Sequence, residues 1–423
     1  MPKRQASLSS KPTRLGDAGP HSKPAATTEG GRDTSRPERA VLGDRGAERV
    51  RSGHPWVYEG DILGLAGAGP VRVEDRRGRE LGVADVSPRS KIRLRMLTRE
   101  AGAVIDEAWL RGRIARAIEY RKKVVSGSDA CRLVASEADG LPGLIVDRYG
   151  DALVLQTLTA AMDARQTAIV AALEAELMPR VMVERNEAKV RLAEGLELRS
   201  GLLRGRKSQV ECSINGLKFG VDLLEGQKTG GFLDQRENWA AAERYAKAFG
   251  TRRALDVFTY QGGFAMHVAR AGATVQAVDS SRSALEVADA NGARNGMPEI
   301  DWIEANAFDL LRDYDERGEL FDLVVLDPPA FAKSRSAVEA AIGGYKEINL
   351  RAMKLLHPGG VLVSCSCSHH VSEGRFLEML LAAAVDARRE LRLLERRGQA
   401  ADHPVLMGMP ESGYLKVAIA VAT

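Results

Sequence analysis

Two cysteines stand one residue apart near the end of the chain, in the stretch VLVSCSCSHHV of residues 361–371. The stretch begins as an apolar strand and ends in two histidines. Strand alternation places Cys365 and Cys367 on one face and the intervening serines on the other. A thiolate is both a nucleophile and a metal ligand, so this strand end is a candidate for chemistry. Taken singly, either cysteine is equally typical of a small core residue.

A metal site is not predicted, because the other two cysteines, Cys131 and Cys212, are remote in sequence and form no second paired motif. Four cysteines among 423 residues also make no disulfide framework, which favours a reducing, cytoplasmic compartment. The sequence shows neither an apolar signal segment nor the ~18 apolar residues that a membrane helix needs, so no membrane partner is expected.

A turn containing two glycines follows another strand-like run, in LDVFTYQGGF. Asp256 lies within the strand, and Gly262 and Gly263 open a helix, where glycines allow a cofactor to approach the backbone. The dinucleotide-binding pattern G-x-G-x-x-G is absent, since Phe258 and Tyr260 stand where its glycines would be. The loop alone therefore fits a nucleotide-like cofactor or a simple tight turn.

Three further strand ends carry polar residues. Asp279, in AVDSS, lies 23 residues after Asp256, close to the ~20-residue offset at which an acid grips ribose hydroxyls, and Ser280 follows it. Asn306 follows the next strand, where an adenine would be read. Asp327 opens LDPPAFAKS, in which two prolines forbid a regular helix start and fix a rigid loop.

These strands alternate regularly with helix-length segments, which predicts a parallel, doubly wound sheet with a ligand site at the carboxyl ends of its strands. The last two runs, LRLLERR and YLKVAIAVAT, predict an antiparallel hairpin at one edge. Upstream, short strands with Gly and Pro punctuation indicate a small β-barrel-like module, followed by mixed helices and strands. The predicted segments are a disordered basic tail, a barrel module, a central α/β domain and the sheet domain, at residues 1–40, 41–113, 114–210 and 211–423.

The charge is unevenly distributed. Residues 1–130 carry 26 Lys and Arg against 17 Asp and Glu, whereas the remainder carries 35 against 40. A basic front half suits a polyanion such as RNA, although Arg-rich surfaces are common in such compositions.

Together these motifs resemble the class I S-adenosylmethionine-dependent RNA methyltransferases, and more closely the bacterial family that methylates carbon 5 of cytosine in large-subunit (23S) ribosomal RNA. The resemblance covers about residues 41–423 and includes SGHPWVYEGDI, SEADGLPGLIVDRYGD and GQKTGGFLDQREN in addition to the strand ends above. It implies an N-terminal PUA-like domain for RNA binding, a small central α/β domain and a Rossmann-like sheet of seven strands.

The resemblance assigns roles residue by residue. S-adenosylmethionine would contact Asp256, Phe258, Tyr260, Gly262, Gly263, Asp279, Ser280, Asn306, Ala307 and Asp327. The target base would contact Phe232, Asp234, Arg236, Pro328, Pro329, Phe331 and Lys333. The family's nucleophile corresponds to Cys367, with Cys365 as a packing residue or a helper in product release, and Asp327 would hold the cytosine edge. The family usually has Asp where this chain has Asn306, which leaves adenine recognition there open.

The PUA-like module would hold ribosomal RNA through Arg49, Arg51, His54 and Trp56, unless Trp56 and Tyr58 are core residues of the barrel. A homodimer is left open, because no sequence signature defines one. The other candidate functions are methylation of an exocyclic amino group, whose enzymes share the D-P-P motif followed by an aromatic residue, and a non-catalytic RNA-binding assembly factor. A nicotinamide-dependent oxidoreductase is disfavoured by the missing glycine pattern.

Overall fold

A computed structural model describes residues 38–297, 299–332 and 334–423. Residues 1–37 of the expected disordered tail lie outside this part of the chain. The first strand begins at Arg39, so the last residues assigned to the tail belong to the folded structure. Ala40 is fully buried there, which explains why an apolar residue stands at this position.

The first sheet has six strands in the order β2-β6-β5-β4-β1-β3, and all neighbours pair antiparallel except β1 and β4. Its apolar side chains and those of one short helix form a separate small core. The elements are β1 (Arg39–Leu42), α1 (Asp44–Arg51), β2 (Trp56–Tyr58), β3 (Ile62–Ala66), β4 (Pro70–Asp75), β5 (Glu80–Val86) and β6 (Ile92–Thr98).

The central sheet has five strands in the order β11-β10-β9-β8-β7, and β8 and β9 form an antiparallel hairpin. The elements are α2 (Glu107–Val124), β7 (Ala130–Ala135), β8 (Leu144–Tyr149), β9 (Ala152–Thr157), α3 (Ala160–Ala164), α4 (Gln166–Leu177), β10 (Val181–Asn186), α5 (Val190–Glu194) and β11 (Arg199–Arg204). Helix α2 starts where the Asp106 side chain accepts a hydrogen bond from the backbone N–H of Trp109, 2.8 Å away. The boundary predicted after residue 113 therefore falls inside this helix.

The carboxyl-terminal sheet confirms the doubly wound prediction. Its seven strands run in the order β16-β15-β14-β17-β18-β20-β19, and the first five are parallel. A two-stranded hairpin precedes it, comprising β12 (Gln209–Ile214) and β13 (Leu217–Asp222). The remaining elements are α6 (Arg236–Ala248), β14 (Arg253–Val257), α7 (Gly263–Arg270), β15 (Thr274–Asp279), α8 (Arg282–Arg294), β16 (Asp301–Glu304), α9 (Ala307–Arg317), β17 (Phe321–Leu326), α10 (Val338–Lys354), β18 (Leu356–Ser366), α11 (Glu373–Asp386), β19 (Leu391–Arg397) and β20 (Lys416–Ala422).

Strand β20 lies between β18 and β19 and runs antiparallel to both, as the apolar final run predicts. The two faces of the sheet bury different side chains of the same strands. Val361, Val363 and Cys365 of β18 pack into one core, and Leu362 packs into the other. The predicted alternation along this strand is confirmed. The predicted boundary after residue 210 falls inside β12, because the hairpin begins at Gln209.

Candidate active site

A cavity of about 530 Å³ opens at the carboxyl ends of β14, β15, β17 and β18. Strand β14 lies between β15 and β17, which is the point where the strand order reverses and where ligands bind in such sheets. The cavity is lined by residues of five segments, namely 227–235, 258–264, 279–281, 327–330 and 367–369, and by Tyr149, Trp239, Tyr414 and others.

The loop after β14 has an unusual backbone. Phe258 and Tyr260 both have positive φ, +69° and +50°, at positions where related cofactor loops use glycine. The carbonyl of Val278 accepts hydrogen bonds from the N–H groups of Phe258 and Thr259, at 2.9 and 3.0 Å. A left-handed conformation costs a residue with a side chain roughly 1–2 kcal/mol, and such strain is concentrated at functional sites. The loop is thus held open over the cavity by its neighbour strand.

Asp256 lies beneath this loop rather than on the cavity wall. Its Oδ2 accepts hydrogen bonds from Thr259 Oγ1 at 2.6 Å and from the Ala265 N–H at 3.0 Å. Burial, with a smaller contribution from Asp279, raises the pKa of Asp256 to about 7. The structure therefore places Asp256 as a residue that positions the loop.

The structure gives Gly262 and Gly263 a packing role, whereas the sequence suggested that glycines here allow a cofactor to approach the backbone. A Cβ at Gly262 would lie 2.7 Å from the Trp302 ring, and a Cβ at Gly263 would lie 2.3 Å from the Trp239 ring. Glycine is required here because two tryptophans pack against the backbone. Gly263 still contributes to the cavity wall, alongside Trp239.

Asp279 ends β15 at the cavity. Its Oδ2 accepts a hydrogen bond from the Tyr260 N–H and its Oδ1 accepts one from the Ser281 N–H, both at 2.9 Å. Each carboxylate oxygen has a second acceptor site, so both remain able to accept a hydroxyl group of a ligand. Ser280 is exposed and lines the cavity beside Asp279.

Some predicted residues lie away from the cavity wall. Asn306 is the N-cap of α9, and its Oδ1 accepts hydrogen bonds from two backbone N–H groups of the first turn, while Ala307 is buried. Phe331 packs on Tyr345, with ring centroids 4.6 Å apart. Arg236 is buried and pairs with the fully buried Asp402 at 3.0 Å, so its guanidinium holds distant segments together. Lys333 lies outside the described residues.

Asp327 follows β17 and lines the cavity with Pro328 and Pro329. Gln235 donates a hydrogen bond from Nε2 to Asp327 Oδ1 at 2.8 Å, which fixes the carboxyl group. Burial raises the pKa of Asp327 to about 7, and the nearby Asp234 and Asp256 add to the effect. The group therefore exchanges a proton near neutral pH.

Cys367 is the cysteine that reaches the cavity. It is half-buried and lines the wall, and its Sγ lies 3.9 Å from the carbonyl oxygen of Pro328. The other three cysteines are buried, and Cys365 has no exposed surface. Burial, and then the charge of Asp327, raises the pKa of the Cys367 thiol, whereas Lys228 lowers it. Burial raises the pKa of Cys365 well above its ordinary value, so that thiol stays protonated in the core.

Two lysines near the thiol were not singled out from the sequence, although Lys228 belongs to the GQKTGGFLDQREN stretch that carries the resemblance. Lys228 Nζ lies 2.9 Å from Asp234 Oδ2 and 4.2 Å from the centre of the Phe232 ring, and all three side chains line the cavity. Lys416 is buried at the start of β20 and donates hydrogen bonds to the carbonyls of Ser368, at 2.7 Å, and Tyr414, at 2.8 Å.

Burial lowers the pKa of Lys416 to about 8, while Cys367 acts in the opposite direction. A lone Lys in the otherwise apolar run YLKVAIAVAT was the available signal for this residue. Asp234, predicted as a base contact, is buried and also accepts a hydrogen bond from the Tyr414 hydroxyl at 2.7 Å. Lys228 lowers the pKa of Asp234 well below its ordinary range, with further contributions from His403 and Tyr414.

The residues predicted to bind RNA in the first sheet make intramolecular contacts. Arg49 pairs with Asp61 at 2.7 Å, and Arg51 pairs with Asp75. Both carboxylates are buried, and each has a second arginine partner, Arg45 at Asp61 and Arg79 at Asp75.

The turn formed by His54, Pro55 and Trp56 also makes contacts within the protein. The His54 Nδ1 accepts a hydrogen bond from the backbone N–H of Trp56, and the Trp56 Nε1 donates to Glu137 at 2.8 Å across to the central domain. This turn therefore forms part of the contact between the first sheet and the central domain, and its role in RNA binding stays a prediction.

Within the described part of the chain, no group of three or more His, Cys, Asp or Glu side chains is placed to hold a metal ion. No helix there is long and apolar enough to cross a bilayer.

Comparison with known protein families defines the class. Residues 186–411 match the S-adenosylmethionine-dependent methyltransferase family model, and residues 41–99 match a PUA-like domain. The fold is shared with a crystal structure of a candidate methyltransferase complexed with SAH, at a TM-score of 0.78, 20% identity and coverage of 91% of this chain and all of that one. The chain is an S-adenosylmethionine-dependent methyltransferase with a PUA-like domain.

Curated relatives narrow the class to a family. Ribosomal RNA large subunit methyltransferase I of Photobacterium profundum is 40% identical over 385 residues, which is 88% of this chain and 96% of that protein. Its namesake in Escherichia coli O139:H28 is 36% identical over 389 residues, with coverage of 89% and 98%. This chain belongs to the ribosomal RNA large subunit methyltransferase I family.

Proposed function

We propose that the protein methylates carbon 5 of a cytosine in large-subunit ribosomal RNA, through a covalent adduct between Cys367 and the base. The single observation that carries this proposal is the placement of Cys367. It is the cysteine that lines the cavity, beside Asp327 and at the ligand-binding edge of the sheet. The names of the relatives support the ribosomal RNA substrate.

The chemistry requires a nucleophile because carbon 5 of cytosine is too weakly nucleophilic to attack a sulfonium methyl group. Addition of the Cys367 thiolate to carbon 6 would convert the ring into an enamine, whose carbon 5 would then bond to the methyl carbon as the bond from that carbon to the sulfonium sulfur breaks and the thioether leaves. Loss of the carbon-5 proton to a base expels the thiolate and restores the aromatic ring. The other candidate function, transfer to an exocyclic amino group, would leave Cys367 without a role.

Asp327 would act on the opposite edge of the base. With a pKa of about 7, part of its population is protonated near neutral pH. A protonated carboxyl group can donate to cytosine N3 and neutralise the negative charge that thiolate addition places on the ring. Gln235 occupies Oδ1, which directs Oδ2 toward the base.

The groups around the Cys367 sulfur affect its ionisation in opposite directions. The thiolate must form near neutral pH, yet burial and Asp327 oppose it. Lys228 supplies a positive charge at the cavity wall, and Lys416 fixes the carbonyl of Ser368 immediately after the nucleophile. We assign both lysines as positioning residues for Cys367.

The cavity fits S-adenosylmethionine at its other end. Asp279 keeps free acceptor sites for ribose hydroxyls, and Phe258 and Tyr260 supply aromatic surface. When bound, the cofactor supplies an electrophilic methyl group on sulfur. Phe232, Pro328 and Pro329 would then enclose the target base, which must leave its stack to enter. We assign Asn306 and Ala307 to the start of α9 rather than to adenine.

The rival reading, methylation of an exocyclic amino group, needs an aromatic ring after the prolines to stack on the base. Phe331 instead packs against Tyr345 and Phe308 in the core under α10. This placement favours the thiol mechanism over the rival.

Methylation of unmodified large-subunit ribosomal RNA with labelled S-adenosylmethionine tests the proposal. The RNA would be digested to nucleosides and the labelled product identified by mass spectrometry. We expect label in 5-methylcytidine with the wild type and with Cys131→Ala, a control for thiol loss at a buried site. Label in a methylated purine, or none with RNA that is shown to bind, would reject the proposal.

A further inference from the structure

A second cavity, of about 350 Å³, lies between the six-stranded sheet and the central sheet. Residues from β6, from α2 and from the turn after β7 form its wall together with Leu406. Three arginines face it: Arg99, Arg113 and Arg116. All three parts of the fold contribute to its lining, and three of the lining side chains carry guanidinium groups.

These guanidinium groups lack acidic partners. Among the described residues, no carboxylate lies within 4.0 Å of Arg99, Arg113 or Arg116, although most arginines nearby form such pairs. Arg99 uses only its Nε, which donates to the carbonyl of Val50 at 3.2 Å. The Nε of Arg113 is buried without a hydrogen-bond partner in that part of the chain. Burial, and then the neighbouring charge of Arg116, lowers the pKa of Arg113.

The acids in the same wall are already neutralised. Glu137 accepts hydrogen bonds from Trp56 at 2.8 Å and Arg95 at 3.3 Å. Asp139 accepts from the buried Arg121 at 2.6 Å and from a backbone N–H at 2.6 Å. The cavity consequently keeps an excess of positive charge, which an anion would compensate.

A third, smaller cavity of about 180 Å³ lies between this site and the active site. It shares Glu137 and Ala138 with the arginine cavity and shares His369 and Tyr414 with the active-site cavity. The three cavities therefore lie next to one another in a row, the groove, with Cys367 beside one end and the three arginines at the other.

We propose that Arg99, Arg113 and Arg116 form a phosphate-binding site for the RNA strand that carries the target base into the active site. A strand laid in this groove would present one base to Cys367 while its backbone reaches the arginines further along. Guanidinium groups match phosphate geometry and hold the strand without reading its sequence. This inference rests on the proposed function for the nature of the polyanion, and it adds a site to the RNA contacts that the sequence predicted on Arg49 and Arg51.

The test compares RNA binding by wild type with that of an Arg99→Ala/Arg113→Ala/Arg116→Ala variant. Anisotropy of a fluorescein-labelled fragment of unmodified large-subunit ribosomal RNA is followed without S-adenosylmethionine, so the result does not depend on the product formed. We expect the affinity to fall at least about tenfold. We also expect the slope of log affinity against log salt to decrease by about 2, since each lost single-strand phosphate contact removes ~0.7. Affinity for S-adenosylmethionine should not change.

The matched control removes three arginines elsewhere: Arg312→Ala/Arg317→Ala/Arg392→Ala, on α9 and β19. It should bind RNA within about twofold of wild type, because a general loss of charge contributes little at moderate salt. Arg116→Glu is the second cavity variant, and since Arg116 is exposed it tests the site without disturbing packing.

Four outcomes would overturn the proposal. The first is wild-type RNA affinity in both cavity variants, and the second is an equal loss in the control. In the third, polyglutamate binds wild type with the same dependence on the three arginines, which would indicate an acidic protein partner. In the fourth, inorganic phosphate binds at the arginines while RNA affinity is independent of them, which would indicate a free-anion site.

Discussion

The Sγ of Cys367 lies 3.9 Å from the carbonyl oxygen of Pro328, which joins the ends of two neighbouring parallel strands. This contact sets the thiol beside the Asp-Pro-Pro loop, so that in the proposed mechanism a base enclosed by the prolines would have a nucleophile on one side and the Asp327 carboxyl group close by. The predictions below follow from the charges that surround this pair of groups.

The pH–rate profile of methylation should have a broad plateau. The proposed reaction needs an ionised Cys367, whose pKa lies above its ordinary value of 9.0, and a protonated Asp327, whose pKa is about 7. Below about pH 7 the rate should rise about tenfold per pH unit, because only the thiolate fraction changes. From about 7 to beyond 9 the gain in thiolate is cancelled by the loss of the protonated acid. Measurement of kcat/KM for RNA from pH 6 to 10 tests this profile.

Asp327→Asn is the matched variant for that profile. An amide does not titrate, so the rate should be lower but should keep rising past pH 8. If the variant had the same plateau as wild type, Asp327 would not be the group that donates a proton to the base.

Lys228→Gln should raise the pKa of the Cys367 thiol, because it removes the positive charge that lowers it. The pH dependence of iodoacetamide alkylation at the Cys367 peptide, read by mass spectrometry, reports this pKa without RNA. At pH 7.5 we expect alkylation to slow by about three- to tenfold, and Lys228→Arg should stay near wild type. The control Lys346→Gln removes a lysine that pairs with Asp386. Equal alkylation profiles in all four proteins would show that Lys228 does not lower the pKa of the Cys367 thiol.

Gly263→Ala should lower the free energy of unfolding by about 2–3 kcal/mol, since the added methyl group would overlap the Trp239 ring. Gly374→Ala is the matched control. It also lies in the first turn of a helix, but its Cβ would meet nothing within 4 Å, so a gain of about 0.5–1 kcal/mol is expected. Urea denaturation measures both. If Gly263→Ala were as stable as wild type, the glycine would need another explanation, such as contact with the cofactor.

Asp279→Asn should weaken the binding of S-adenosylmethionine at least about tenfold, because the ribose hydroxyls lose charged acceptors. Asn306→Ala should instead lower stability by about 1 kcal/mol through loss of the α9 cap, and change the cofactor Kd less than about threefold. Isothermal titration calorimetry and thermal unfolding separate these effects. A tenfold loss of affinity in Asn306→Ala would restore its predicted role at the adenine.

The sequence was most informative where structure depends on local pattern. The five parallel strands, the edge hairpin and the two faces of β18 follow from apolar runs and their alternation, and the structure has them all. The strand-end positions of Asp279, Asp327 and Cys367 follow in turn, because the carboxyl ends of parallel strands share one edge of the sheet.

Contacts between distant residues could not be predicted in this way. Arg236 and Asp402 are 166 positions apart, and nothing local to either residue indicates that they pair in the interior. The same holds for Trp56 and Glu137, whose contact joins the first sheet to the central domain. Lys416 lies near Cys367 because β20 pairs with β18, where Lys416 is opposite Ser366. The sequence of one strand does not show which strand it will pair with or in which register.

The account depends on a covalent bond between Cys367 and the target base, and RNA containing 5-fluorocytidine tests it most directly. Fluorine at carbon 5 replaces the proton that must leave, so after methyl transfer the thiol cannot be eliminated and the adduct persists. With S-adenosylmethionine, wild type and Cys365→Ala should form a complex that survives denaturing electrophoresis, with the linkage at Cys367 by peptide mass spectrometry. Cys367→Ala should form none. Attachment at Cys365, or an adduct in Cys367→Ala, would contradict the assignment of the nucleophile.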